Sequence, residues 1–273
     1  MKWRNTFSVV AGCAVVGLTS FNAQAQSAFT GFYGQASTGY ESNQLGSLSG
    51  TSTNTPKAST DTDRSAPSQN FGGAPLVLGL GYYWQASEKW LFGFGADYSA
   101  LTQTSSSIPI TVTNSPGNTS IPAGQSATSN GANLQLSNRF NLFLSPAYAI
   151  DKDKLVYLKA GYSQVTGQYN RQTSATTVTN GVSNTSPATG GSQSTSLSGY
   201  IVGLGYKQII TSGLYGFVEA NYMGYSAPSY SYNSTTRVYE TLNGIRTSGT
   251  RVISANFASL NTFQALIGLG YAF

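Results

Sequence analysis

The chain contains no histidine and a single cysteine among its 273 residues. Histidine is the side chain whose ordinary pKa lies nearest working pH, so its absence removes Ser-His-acid nucleophiles and most proton-shuttle chemistry. Transition-metal sites lose a principal ligand at the same time. An enzyme is therefore not expected, nor a cofactor, nor a metal. Charge is scarce as well: charged residues make up 8% of the chain, against roughly 25% in ordinary soluble domains. Taking Lys2 and Arg4 from the 14 basic residues leaves 12 against 9 acidic ones. So small and scattered a surplus offers no footprint for nucleic acid. No apolar run reaches the eighteen or so residues a spanning helix needs, so any passage through a membrane has to be made with strands.

The first 25 residues read as an export signal. Lys2 and Arg4 precede an apolar run from Phe7 to Leu18, and Ala23-Gln24-Ala25 supplies a small-residue cleavage site, which makes Gln26 the first mature residue and residues 26–273 one domain. Val10-Ala11-Gly12-Cys13 also spells a lipoprotein box. The apolar run before it is very short and continues past it, which favours cleavage after Ala25 over lipidation. Without Cys13 the mature chain has no thiol or disulfide chemistry.

What fills the remainder is Gly, Ser, Thr and Asn, with aromatics at 12%, arranged in eight segments that alternate with period two. The first, Phe29 to Tyr40, puts Phe32, Gly34, Ala36, Thr38 and Tyr40 on one face. The second shows Leu76, Leu78, Leu80, Tyr82 and Trp84, and the third Trp90, Phe92, Phe94, Ala96 and Tyr98. The fourth lines up Leu134, Leu136, Phe140, Leu142, Leu144 and Tyr148 and turns at Asp151-Lys152-Asp153. The fifth carries Val156, Leu158, Ala160 and Tyr162; the sixth Tyr200, Val202, Leu204 and Tyr206; the seventh Leu214, Gly216, Val218, Ala220 and Tyr222. The eighth, Ala265 to Phe273, presents Ala265, Ile267, Leu269, Tyr271 and Phe273. Four connections of roughly 25 to 32 residues alternate with three of only a few, the asymmetry of a transmembrane barrel with long extracellular loops and tight periplasmic turns. The fold expected is therefore all-β: an eight-stranded antiparallel up-and-down transmembrane barrel. Tyr82, Trp84, Trp90, Tyr98, Tyr162, Tyr206 and Tyr222 fall where aromatic girdles would mark the edges of its apolar band.

The closing segment carries Gly268, Tyr271 and Phe273 in a Gly-x-x-aromatic-x-aromatic pattern. In this it resembles the small eight-stranded outer-membrane barrels of Gram-negative bacteria, the OmpA/OmpX/opacity-protein group. The resemblance implies that these three residues form a signal read by the barrel-assembly machinery, although Leu266 stands where that family has a polar residue. It implies location in the cell outer membrane, contact with outer-membrane lipid and lipopolysaccharide, and a monomer. A soluble peptidoglycan-binding domain after Phe273, present in two-domain relatives, is not expected, nor is their wall-anchoring role.

The opposite faces place Asp97, Arg139, Lys159, Lys207 and Glu219 toward the bore. An eight-stranded barrel is just wide enough for side chains to fill it, and charges there must be paired. Height above the turns suggests Glu219 with Lys159 and Lys207, and Asp97 with Arg139. Such a network either plugs the barrel or lines a narrow, gated ion path; Tyr83, Tyr157 and Phe217, which also point inward, favour the plug. The functional expectation is a structural and surface-interaction protein, adhesin-like or serving envelope integrity; the alternative is a small porin-like channel for ions or hydrophobic solutes. The loops read as a hydrated brush, with two further possibilities. Lys57, Arg64, Arg237, Arg246 and Arg251 can meet lipopolysaccharide phosphates, and Tyr225, Tyr230, Tyr232 and Tyr239 can contact a host or cell-surface ligand, unless the last loop simply continues the strands. Asp61 and Asp63 resemble a calcium pair, but no Gly-turn-Glu follows and a solvated loop is the simpler reading.

Overall fold

The computed structural model describes residues 27–54, 59–114, 125–179, 182–187, 190–240 and 246–273. The expected leader, Cys13 and Lys57 lie outside the described residues. Eight strands form the wall: β1 (Gly31–Leu45), β2 (Leu76–Gln85), β3 (Trp90–Ser99), β4 (Gln125–Asp151), β5 (Lys154–Asn170), β6 (Ser192–Thr211), β7 (Leu214–Tyr225) and β8 (Leu260–Ala272). Each pairs antiparallel with the next, and β8 returns to β1 over thirteen residue pairs from Tyr33↔Ala272 to Leu45↔Leu260. The last amide also closes the ring, with Phe273 N–H donating to Phe32 O at 2.9 Å. A closed ring leaves no bare backbone edge, the condition for strands to stand in hydrocarbon.

Following directly opposed residues once round the wall gives its stagger. From Gly34 the path runs through Leu80, Ala96, Leu142, Tyr162, Tyr200, Gly224 and Asn261 and re-enters β1 at Gln44, ten residues from its start. Ten residues of shear over eight strands, at the usual rise and spacing, correspond to a tilt of about 40°.

The oily faces read from the sequence point outward. Phe32, Leu80, Trp90, Phe94, Leu144, Leu158, Leu204, Val218 and Ile267 are all exposed, on eight different strands. Such a belt of unpartnered Leu, Phe and Trp is intolerable in water and is what a lipid-facing wall requires. The three inner turns are tight. Ser212 and Gly213 both have positive φ (31° and 82°), the hairpin geometry that suits strand twist. At Asp151, the carboxylate accepts the Asp153 N–H at 2.9 Å and the Lys154 ammonium at 3.0 Å.

One strand departs from the expected faces. Leu134 and Leu136 are buried inside, whereas Phe140, Leu142 and Leu144 on the same strand face out. The cause is a bulge: the β4–β5 register shifts between Gln164 and Thr166, and Asn138 opposite it is left-handed, at φ 51°. One extra residue reverses the parity of everything beyond it. Gln135, expected inward, is consequently half-buried beside the inward Leu134 and Leu136.

The loops also depart from a brush. Leu48–Asn54 pairs with Ser59–Ala66, that strand with Ile108–Asn114, and Ile108–Asn114 with the outer part of β4, which continues to Ser174–Thr179 and Val182–Pro187. On the other side Arg246–Phe257 joins Leu48–Asn54 to Ser229–Glu240. The wall thus continues outward as a second sheet. Among the described residues Val182–Pro187 and Ser229–Glu240 each pair on one side only, so this upper sheet has a seam. Its polar composition conceals inward residues at period two, Ile108, Ile110 and Val112 on one strand and Ile253, Ala255 and Phe257 on another. These give the loops an apolar face to bury.

Candidate functional site

The inward side chains form layers across the bore. At the periplasmic end, Phe29, Tyr33, Tyr83, Leu91, Leu155, Tyr157, Tyr215 and Phe217 make an aromatic and aliphatic floor. Tyr33 stacks on Tyr83 at 5.4 Å, and Tyr215 lies 5.8 Å from Phe29 and 6.1 Å from Phe217. The glycines of β2, β3 and β8 make the space. A side chain at Gly93 would meet the ring of Tyr83, one at Gly270 the ring of Tyr215, and one at Gly268 the ring of Phe217.

Lys207 sits in this floor. Its ammonium lies 3.9 Å from the ring centre of Tyr33, 4.8 Å from Tyr215, 5.1 Å from Tyr157 and 5.3 Å from Tyr83, and donates to the Tyr215 hydroxyl at 3.4 Å. The expected pairing of Lys207 with Glu219 is absent: the ring faces, whose quadrupoles attract a cation, surround it instead. Tyr215 in turn donates to Gln35 Oε1 at 3.1 Å, which ties β7 to β1 across the bore.

Lys159 occupies the next layer, 2% exposed. Its Nζ bridges Asp97 at 2.5 Å and Glu219 at 2.9 Å and lies 4.0 Å from the Phe143 ring. Glu219 also accepts from the Tyr157 hydroxyl at 2.6 Å and from Asn221 Nδ2 at 2.7 Å. Asp97 therefore pairs with Lys159, not with the Arg139 expected from height alone.

Arg139 belongs to a third group with Glu41, whose carboxylate it meets at 2.5 Å. Its Nε donates to the Tyr225 hydroxyl at 2.9 Å, and its Nη2 to Asn43 and Thr262 at 3.3 and 3.4 Å. Gln264 and Asn43 complete the Glu41 carboxylate at 2.7 and 3.0 Å. Sequence reading missed Glu41, because it ended the first strand at Tyr40. Extended by five residues, the inward parity of Tyr33, Gln35 and Ser37 runs on to Glu41, Asn43 and Leu45, which is the signal that identifies it.

Above the arginine the bore is closed again. Leu45, Leu48, Ile108, Ile110, Leu134, Leu136, Val165, Tyr169, Leu197, Tyr230, Phe257 and Leu260 form one apolar cluster. The bulge at Asn138 turns Leu134 and Leu136 into it. Tyr169 stacks on Tyr230 at 5.3 Å.

The remaining sequence-predicted residues fall as follows. Trp84, Trp90, Tyr98, Tyr162 and Tyr222 are exposed on the outer face; Tyr82 and Tyr206 are half-buried there. Tyr98 and Tyr162 turn their hydroxyls to Asn138 Oδ1 at 3.0 Å and Ser198 Oγ at 2.9 Å. Trp84 stacks with Phe92 at 6.0 Å, and Trp90 meets Tyr148 edge-on at 5.2 Å. Tyr271 packs edge-on against Phe273 at 5.2 Å, while Leu266 faces the bore opposite Glu219. Tyr225 points into the bore toward Arg139 and Ser163, and Tyr230 and Tyr232 point into the outer sheet, toward Gly167 O and Gln172, rather than away from it. The side chains of Asp61, Arg237, Tyr239 and Arg246 lie outside the described residues. Among the described residues no three His, Cys, Asp or Glu side chains gather at metal-binding range.

No protein-family model and no curated protein matches this chain. Solved structures similar to it include the outer membrane protease OmpT of Escherichia coli, 11% identical with a TM-score of 0.42 over 89% of this chain and 97% of that one. The outer membrane protein OprG of Pseudomonas aeruginosa is 12% identical, with a TM-score of 0.43 over 90% and 98%. Ail, the attachment invasion locus protein of Yersinia pestis, is 12% identical, with a TM-score of 0.31 over 86% and 99%.

Proposed function

We propose that this chain is a monomeric outer-membrane barrel whose bore is a structural plug and whose working surface is the sheet that rises above the membrane. Envelope integrity comes from the knitted wall, and contact with lipopolysaccharide or with a host or neighbouring cell comes from the outer hairpins. The observation that carries this reading is the layering of the bore. Two buried ionic groups, Asp97–Lys159–Glu219 and Glu41–Arg139, lie between an apolar cap and an aromatic floor. A conducting path needs weak, sequential ion sites and continuous hydration; charges already neutralised by their neighbours, between two dry layers, provide neither. The absence of histidine argues against catalysis.

Planar-bilayer recording of the purified protein tests the plug. It is expected to give no stable unitary conductance; steady conductance that changes in Glu219→Ala would establish a channel instead. For the surface role, deletion of residues 226–254 is expected to abolish adhesion to cells or to lipopolysaccharide while the unboiled protein still migrates as a folded barrel. Adhesion that survives this deletion removes the hairpin from the function.

A further inference from the structure

Above the apolar cap, the inner face of the outer sheet gathers arginine and hydroxyl donors. Thr62 and Arg64 alternate onto that face from Ser59–Ala66, and Ser52 sits directly opposite Thr62 on Leu48–Asn54. Arg251 reaches in from Arg246–Phe257, its Nη2 donating to Thr62 Oγ1 at 2.9 Å. From the end of β5 come Tyr169 and, two residues on, Arg171, whose guanidinium lies 4.6 Å from the Tyr232 ring centre and donates to Gly190 O at 2.9 Å. Leu48 and Ala66, on the strands that carry Ser52 and Arg64, share one buried cluster with Tyr169; burial raises the pKa of the Tyr169 hydroxyl, and Arg64 and Arg171 oppose that rise.

Three of these donors are buried without an acceptor. Arg64 is 7% exposed and its Nη2 has no hydrogen-bond partner; Tyr169 and Ser52 are both 0% exposed and their hydroxyls have none either. Among the described residues no carboxylate forms an ion pair with Arg64 or Arg171. Burying a guanidinium with no counter-charge is costly, unlike the same group in Arg139, where Glu41 answers it. Arginine forks and neutral hydroxyl donors, with no acid among them, match an oxygen-rich anion and repel a cation.

We propose that this cluster of donors binds a tetrahedral oxyanion, a phosphate or sulfate monoester carried on a sugar. Arg64 and Arg171 supply the charge, Tyr169 and Ser52 are the neutral donors, and entry is through the seam beside Ser229–Glu240. This site deepens the surface role and rests on it. It differs from the solvent-facing arginine rim expected from sequence, because Arg64 turns inward beneath the rim.

The test is calorimetric titration of the full-length barrel, refolded in detergent micelles, with glucosamine 1-phosphate and with a sulfated disaccharide, against acetate at equal ionic strength. Saturable binding of either ester but not of acetate is expected. Arg64→Gln should weaken it at least tenfold, the order of one charge-assisted bidentate contact, and Tyr169→Phe, which keeps the ring, by roughly threefold or more. A tighter phosphate ester points to lipid headgroups of the same membrane; a tighter sulfate ester points to an external glycan. No saturable binding to the wild type, or binding unchanged in Tyr169→Phe and in a heat-modifiable Arg64→Gln, overturns the site. Should Arg64→Gln not fold, Tyr169→Phe alone decides. Absence of oxyanion binding in the wild type alongside hairpin-dependent adhesion would sink the site and leave the surface role standing; wild-type oxyanion binding without hairpin-dependent adhesion would remove the role and keep the site.

Discussion

Replacing Lys159 with Met keeps the length of the side chain but removes the one ammonium held between Asp97 and Glu219, at 2.5 and 2.9 Å. Two buried carboxylates then face each other across an apolar thioether. Like charges about 5 Å apart repel by roughly 3 kcal/mol at an effective dielectric near 20, and removing one partner of a buried pair typically costs about 3–5 kcal/mol. Tyr157 and Asn221 still donate to Glu219 and recover part of that, so a net loss of about 3 kcal/mol is expected. The decisive comparison is the triple variant Asp97→Asn, Lys159→Met, Glu219→Gln, which leaves no uncompensated charge and should return to within about 1–2 kcal/mol of wild type. The assay is urea unfolding in lipid vesicles, followed by tryptophan fluorescence and by the gel-mobility difference between unboiled and boiled protein. A single variant that loses less than about 1 kcal/mol, or a triple variant no more stable than the single one, would refute the claim that the bridge is held by desolvated charge.

Other consequences are open to measurement. Deleting Asn138 removes the bulge and should turn Leu134 and Leu136 outward, exposing the outer hairpins to protease while the wall below still gives a folded band. Lys207→Met, in a cage of rings with no carboxylate partner, should cost less than Lys159→Met in the same unfolding experiment, about 1–2 kcal/mol for the lost cation–ring contacts. At the inner turn, the hydrogen bond from Lys154 and then that from the Asp153 amide hold Asp151 below the usual carboxylate range. A lowered folded-state value means the stabilisation is present above the unfolded pKa of about 3.9 and is lost as pH falls through the folded one. The difference in unfolding midpoint between wild type and Asp151→Asn should therefore be small, constant above about pH 5 and shrinking toward pH 3; a difference that grows on acidification contradicts it.

The wall was legible because its constraint is local. A strand with lipid on one side and a filled bore on the other must alternate strictly, and Leu76 to Trp84 or Trp90 to Tyr98 display that alternation without any knowledge of neighbours. The bore charges could be placed on the inner face for the same reason, but not paired. Pairing depends on the stagger, and ten residues of shear carry each strand far from the height that counting from its own turn suggests. That is how Arg139 comes to meet Glu41 on β1 while Asp97 turns to Lys159. The bulge was illegible for a different reason. Asn138 is polar and unremarkable in sequence, and only the reversal of Leu134 and Leu136 against Phe140 reveals that one residue has been inserted into the ladder. That inserted residue has a structural consequence out of proportion to its size. Below it, the odd positions of β4 give the bore Arg139 and Asn141; above it, the even positions give the cap Leu134 and Leu136. A strand of uniform parity would carry either polar residues into the cap or leucines to the exposed face of the outer sheet. The bulge lets one strand serve a lipid-facing wall, an ionic bore and a dry cap in succession, and so makes possible both the closed lumen and the ordered outer sheet.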